Sequence, residues 1–246
     1  MRSPIKNLKK KTNSLSTLKE LIPKGSVVQT YPFYDGAVEF SLAETDRYAI
    51  GCTKSLVVYE FWLYAMQDPK RISLIADKMF PIVNENTFDI LKTNWYSYKD
   101  PFVRSALFFL LNRCSSIGMI THGELDTKNY NPISLNELRT FKVDNFHSVL
   151  LLPQQEYETL TDTNFNLFSG GNYFYDLLNT EQVVGLEESP FRHSKMLSQF
   201  KDSPTIFVYN YHPRLAKMKD WDKIFIDQYG RATTEDNAKE IILHNV

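Results

Sequence analysis

The sequence predicts an α/β protein: a mostly parallel, doubly wound sheet interrupted by a helical insertion. Three observations predict it. Short apolar strand candidates alternate with helical patterns at both ends of the 246-residue chain. The stretch 55–112 is periodic at helical spacing and rich in aromatic residues. The last two apolar runs, 223–227 and 240–244, flank a turn-rich segment containing Gly230, the pattern of an antiparallel edge pair on a parallel sheet.

In chain order, 14–22 (SLSTLKELI) spaces Leu15, Leu18, Leu21 and Ile22 as one helical face, and Pro23-Lys24-Gly25 stops it. Residues 26–30 read as a short strand, 32–36 as a loop with turn residues, and 48–52 (YAIGC) as a second strand, while 40–43 has no decisive period. Helices follow over 55–66, 69–80 and 84–95. In 100–112, Asp100 can cap and Pro101 suits the first helical position; the almost wholly apolar interior predicts a buried helix. Residues 114–131, with Gly, Asn, Asp and Thr, suit a hairpin or an extended loop. Beyond it, 134–141 and 190–200 read as helices, and 147–152, 164–168 and 205–209 (TIFVY) as strands. The α/β core is therefore expected from 1–58 and 145–246, and the insertion from 59–144.

A net charge of −1 excludes a whole-surface electrostatic grip on nucleic acid. Positive charge gathers at the start, where Arg2, Lys6, Lys9, Lys10, Lys11, Lys19 and Lys24 face only Glu20; that end suits phosphate contact and a solvated terminus equally. Cys52 and Cys114 form no CxxC pair, which predicts two reduced thiols. No apolar run reaches the roughly 18 residues of a membrane span, and the basic start lacks the apolar stretch of a secretory signal. A soluble, cytoplasmic protein without membrane contact is expected. His122, His147, His193, His212 and His244 lack metal-ligand spacing, and Asp220, Asp222 and Asp227 read as a solvated loop.

Several segments recur in one order. Ser3-Pro4-Ile5 is followed by Lys11, a helix and Ile22-Pro23-Lys24-Gly25. Tyr31-Pro32-Phe33-Tyr34-Asp35-Gly36-Ala37 comes next, then a strand ending at Cys52. A helix from Asp100-Pro101 to Leu111-Asn112-Arg113 precedes Gly118 and Gly123-Glu124, and the tail carries Asn210-Tyr211-His212 and Gly230-Arg231-Ala232. In this order the chain resembles, nearly end to end, the Dam-type DNA adenine methyltransferase family. The resemblance implies a Rossmann-like class I methyltransferase sheet with antiparallel C-terminal edge strands, and an insertion resembling a DNA-recognition domain. The family moves a methyl group from S-adenosylmethionine to the amine of a flipped adenine.

Set against the family's pattern, the ligand-contacting positions are altered. Lys9 and Lys10, followed by Lys11, stand in place of a Gly-Gly that lets the chain pass close to the cofactor. Tyr31 replaces the acid of Glu-Pro-Phe before Pro32 and Phe33, and Asp35-Gly36-Ala37 keeps one glycine of Gly-x-Gly. Cys52 replaces the strand-end Asp that would accept from ribose hydroxyls. The catalytic Asp-Pro-Pro-Tyr has become Ser169-Gly170-Gly171-Asn172, with Tyr173 next and in reach of a stacking role only if the loop shifts by one residue. Asn210-Tyr211-His212-Pro213 is expected to be a strand-to-helix turn. Retained are Asn112, Arg113, Gly118, Gly123 and Glu124, which the resemblance implies at the DNA interface; Asn112 and Arg113 suit a helix end equally.

The resulting expectation is a non-catalytic homologue that holds no cofactor and binds double-stranded DNA or a protein, such as an active methyltransferase. Two alternatives stand beside it. One is a divergent but active S-adenosylmethionine-dependent enzyme in which Ser169 or Asn172 accepts the amine protons. The other is a structural or inhibitory protein reusing the scaffold, with Trp62, Tyr64, Trp95, Tyr96 and Tyr98 lining either a partner surface or the insertion's core.

Overall fold

The alternation at the two ends of the chain builds one sheet. A computed structural model describes residues 3–6, 13–118, 120, 123–152, 157–160, 162–169 and 193–246. Strands β1 (Val27–Tyr31), β2 (Tyr48–Thr53), β3 (Phe146–Leu150), β4 (Phe165–Ser169) and β5 (Thr205–Asn210) lie parallel in the order β3-β2-β1-β4-β5. Beyond β5 comes β8 (Glu240–His244), antiparallel to β5 and to β6 (Asp222–Ile226), and the two-residue β7 (Ala232–Thr233) closes that side.

The predicted antiparallel pair is present, but its last member is not an edge strand. All five residues of β8 are buried, whereas β6 is mostly half-buried. A strand apolar on both faces is favoured inside a sheet, and the half-polar one sits nearer the rim.

The helices follow the sequence punctuation. Helix α1 is Leu15–Leu21. The undecided 40–43 belongs to α2 (Ala37–Ala43), whose Val38, Phe40 and Leu42 are buried. Helix α3 (Leu56–Gln67) is capped by Ser55, α4 (Pro69–Met79) by Asp68, and α5 (Glu85–Asn94) by a reciprocal Asn84–Thr87 box. Helix α6 (Pro101–Cys114) starts as predicted, with the Asp100 carboxylate accepting from Phe102 and Val103 N–H and Pro101 in the first turn. Helix α7 is Pro132–Arg139, α8 is His193–Gln199 and α9 is Pro213–Ala216. Among the described residues of 114–131, Ser115 and Leu125 form one antiparallel bridge, and Thr127–Asn129 a 3-10 turn. Among the described residues no helix is long and apolar enough to cross a membrane.

The insertion shares its core with the sheet. One apolar cluster runs from Phe33, Ala49 and Phe146 through Phe61 and Trp62 to Phe88, Trp95, Phe108 and Phe109. Helix α6 is its axis, buried along most of its length, and packs against α3, α4 and α5. Trp62 and Trp95 are therefore core residues, while Tyr96 and Tyr98 are exposed. The opposite face of the sheet buries Tyr31, Cys52, Tyr157, Phe168, Phe207 and Tyr209. There Gln29 and Asn166 pin the segment before β4: Gln29 Oε1 accepts from Leu160 N–H (2.9 Å), and Asn166 Oδ1 accepts from Thr159 Oγ1 (3.1 Å).

Candidate functional site at the carboxyl end of the sheet

In the order β3-β2-β1-β4-β5 the winding reverses between β1 and β4. Doubly wound sheets bind ligands outside the carboxyl ends of the strands at that reversal. Tyr31, the last residue of β1, pairs in register with Phe168 of β4. Tyr157 packs against both, with ring centroids 5.3 Å from Tyr31 and 4.8 Å from Phe168. Its hydroxyl donates to Asn166 Oδ1 (3.3 Å), and burial pushes its phenol well above the usual range. This side of the reversal is packed with rings.

The end of β2 is closed in the same way. Cys52 is fully buried, and burial pushes its thiol up to about 12, so it is a neutral sulfhydryl at any physiological pH. On the other face, Phe33 lies over Gly51: a β-carbon there would stand 2.6 Å from the ring, so only glycine admits it. Phe33 N–H donates to Cys52 O (2.8 Å), and its ring also meets Trp62 and Phe146. The connection from β1 to α2, with a cis Tyr31–Pro32 bond, is thereby folded down onto β2.

Two carboxyl groups are buried just past β1. Asp35 Oδ1 accepts from Ala37 N–H (3.1 Å) at the start of α2. Glu39, one turn further, is hydrogen-bonded to the Thr30 side chain; burial pushes its carboxyl up to about 7, and the nearby Asp35 adds to the rise. Asp35 stands out in the sequence by its place beside Gly36, whereas Glu39 does not. The available signal was a single acid inside the apolar run AVEFSLA, where the helical face turned inward places it.

Ser169 ends β4 half-buried, in register with Val208. Gly170, Gly171, Asn172 and Tyr173, together with Lys9, Lys10 and Lys11, lie outside the described residues. The predicted strand-to-helix turn after β5 is found: His212 caps α9, its Nδ1 facing Arg214 N–H at 3.2 Å, and Tyr211 Oη donates to Glu235 (2.8 Å). Asp220 is exposed and paired with Lys201. A cleft of about 340 Å³ lies on the β6–β7 side, lined by Asp227, Tyr229, Asp236 and Lys239 among others. Asp227 is engaged in the hairpin turn there, accepting from the N–H groups of Tyr229 and Arg231.

The retained insertion residues meet at the end of α6, where they hold the chain itself. Asn112 is fully buried; its Oδ1 accepts from Lys6 N–H (2.7 Å), and its NH₂ faces Lys6 O (3.0 Å), Gly118 O (2.7 Å) and Tyr34 Oη (3.3 Å). Arg113 donates through Nε to Pro4 O (2.6 Å) and pairs with Glu137. Gly118, at φ +70°, faces Lys6 O, which a β-carbon would approach to 2.8 Å. Gly123 packs against the Ser115 side chain, and the Glu124 carbonyl accepts from Ser116 N–H. Of these residues, only the Glu124 side chain is exposed. In this arrangement Asn112 cannot present its amide to a base edge.

No protein-family model matches the chain, and none of the curated proteins matches it.

Proposed function

We propose that the chain is a non-catalytic protein on a class I methyltransferase scaffold, acting as a binding module for another protein. The strand order supports the scaffold. Five parallel strands reverse between β1 and β4, and an antiparallel strand stands between the fifth and sixth, as in the methyltransferase variant of the doubly wound sheet. The observation that carries the loss of catalysis is the chemistry at the strand ends. Tyr31, Tyr157 and Phe168 pack together where the reversal would admit a ligand, and a neutral, buried Cys52 stands where a ribose acceptor is needed. These residues do not fit S-adenosylmethionine in the family's manner, so no methyl-transfer step is assigned to them.

A protein partner is favoured over duplex DNA by the insertion's charge. Residues 59–144 contain ten Lys and Arg against ten Asp and Glu. Five of those cations sit in ion pairs within the insertion: Arg71–Asp100, Lys92–Asp89, Arg104–Glu60, Arg113–Glu137 and Lys142–Asp144. Phosphate binding draws on unpaired positive charge. The insertion also exposes Leu74, Ile82, Ile90, Tyr96 and Ile133, each by more than half.

The second reading, a divergent active enzyme, draws on Asp35 and Glu39, two carboxyls at the carboxyl end of β1. One assay separates the readings: the full chain is incubated with methyl-labelled S-adenosylmethionine and an adenine-containing duplex, with the anisotropy of the same duplex followed in parallel. The proposal predicts no label on DNA and no salt-sensitive binding. Label on adenine overturns it in favour of the enzyme, and salt-sensitive binding without label makes DNA the partner.

A further inference from the structure

We propose that the N-terminal residues 3–6 form a latch. Through Asn112 they hold the insertion and the β1–α2 connection in one arrangement, so that displacing the N-terminus is felt at the carboxyl end of the sheet. The idea of a partner that would displace it rests on the binding-module reading; the coupling itself does not.

The latch uses main-chain atoms of Pro4 and Lys6 together with the Lys6 and Ile5 side chains. Pro4 O receives Arg113 Nε, while Lys6 N–H and Lys6 O both meet the Asn112 amide. Lys6 Nζ adds donations to Ser115 O (3.2 Å) and Ser116 O (2.8 Å), and Ile5 is buried in the cluster shared by sheet and insertion. The hydrogen-bond partners stand more than a hundred residues away in sequence. The docked residues carry no helix or strand of their own. Their attachment is therefore a local one, which can open at a smaller free-energy cost than global unfolding.

Asn112 carries the contact onward. Its NH₂ faces the hydroxyl of buried Tyr34 in the β1–α2 connection, and the Tyr34 carbonyl accepts from Trp62 Nε1 of α3 (2.6 Å). A continuous path thus leads from Lys6 through α6 to the loop that folds Phe33 onto Gly51 and starts α2 beside Asp35. Asn112, Tyr34 and Trp62 are buried, so breaking one of their bonds is costly. Such a network has discrete docked and undocked arrangements, and this is what a latch requires.

The test is amide hydrogen exchange on the full-length chain, free of any partner, with two cuts in the path. Gly118→Ala pushes Lys6 away and cuts the N-terminal side; Tyr34→Phe removes only the hydroxyl and cuts the loop side. The amides to follow are Phe33, bonded to Cys52 O, and Ala37, bonded to Asp35. A latch predicts that Gly118→Ala accelerates their exchange about tenfold or more in the wild-type background and adds little once Tyr34→Phe is present. Equal acceleration in both backgrounds, or none in either, overturns the latch and leaves Asn112 a local helix-end brace. Lys6→Met, which loses only the Nζ bonds, replaces Gly118→Ala if the alanine chain does not fold, with the same two outcomes. Because no partner enters the experiment, its failure leaves the binding-module reading standing, and the failure of that reading leaves the latch standing.

Discussion

The ends of β1 and β2 and the end of α6 are both buried, and they use burial in opposite ways. At the strand ends the buried groups are rings and a thiol: Tyr31, Tyr157, Phe168, Phe33 and Cys52, held by packing. At the end of α6 the groups are a buried amide and a half-buried guanidinium, Asn112 and Arg113, held by hydrogen bonds to main-chain atoms of residues 3–6 and Gly118. The difference teaches how to read altered and retained residues on a ligand-binding fold. On the proposed scaffold, strand ends filled by rings leave the sheet intact, because close packing satisfies the fold. Retained polar residues need no ligand to explain them when the chain itself supplies their partners.

The largest effect expected from breaking this contrast is at Asn112. Asn112→Ala strips the partner from the half-buried Lys6 and buried Gly118 groups together and is expected to cost about 4 kcal/mol in urea-induced unfolding, since each orphaned buried group costs about 1–3 kcal/mol. A loss below about 1 kcal/mol would mean that these groups find water instead.

Next comes Glu39, the buried acid just past β1. Its folded pKa, about 7, lies above its ordinary value of 4.5. The folded state therefore holds the proton more tightly than the unfolded chain does. Below the ordinary value both states are protonated and this group causes no loss; stability then falls as pH rises and levels off above about 7. The fall amounts to about 3 kcal/mol. Glu39→Gln should flatten that part of the stability–pH profile and make the protein more stable than wild type at pH 8; an unchanged profile would place the titration elsewhere.

Gly51→Ala should destabilise by about 2 kcal/mol, because the new methyl meets the Phe33 ring in a packed core. A thermal shift indistinguishable from wild type would show Phe33 free to move aside. The smallest effect is expected at the exposed pair Arg71–Asp100, whose side chains are about half exposed. Arg71→Ala should change stability by no more than about 1 kcal/mol, as for surface pairs generally.

Much of the fold was legible in the sequence, and the reasons are local. Alternating apolar runs gave strand positions to within a residue or two, and Asp100-Pro101 marked the start of α6. The place of β8 inside the sheet was not legible as an edge-pair pattern, because pairing partners depend on which faces are buried, and only its all-apolar stretch hinted at it. The site was less legible. The replacements at Tyr31 and Cys52 could be read by position, but Tyr157 packing against Tyr31 could not, since it comes from 126 residues later in the chain. Asn112 and Arg113 could be spotted but not interpreted, because their partners Lys6 and Pro4 lie more than a hundred residues earlier in the chain.

We propose that the strand ends do not take S-adenosylmethionine. This is tested most directly by calorimetric titration of the full-length protein with S-adenosylmethionine, and with S-adenosylhomocysteine in parallel. The account predicts no heat of binding and no rise in melting temperature at millimolar ligand. Micromolar binding of either compound would contradict it: Tyr31 and Tyr157 would then have to move apart, and the carboxyls of Asp35 and Glu39 would become the first groups to test as cofactor contacts.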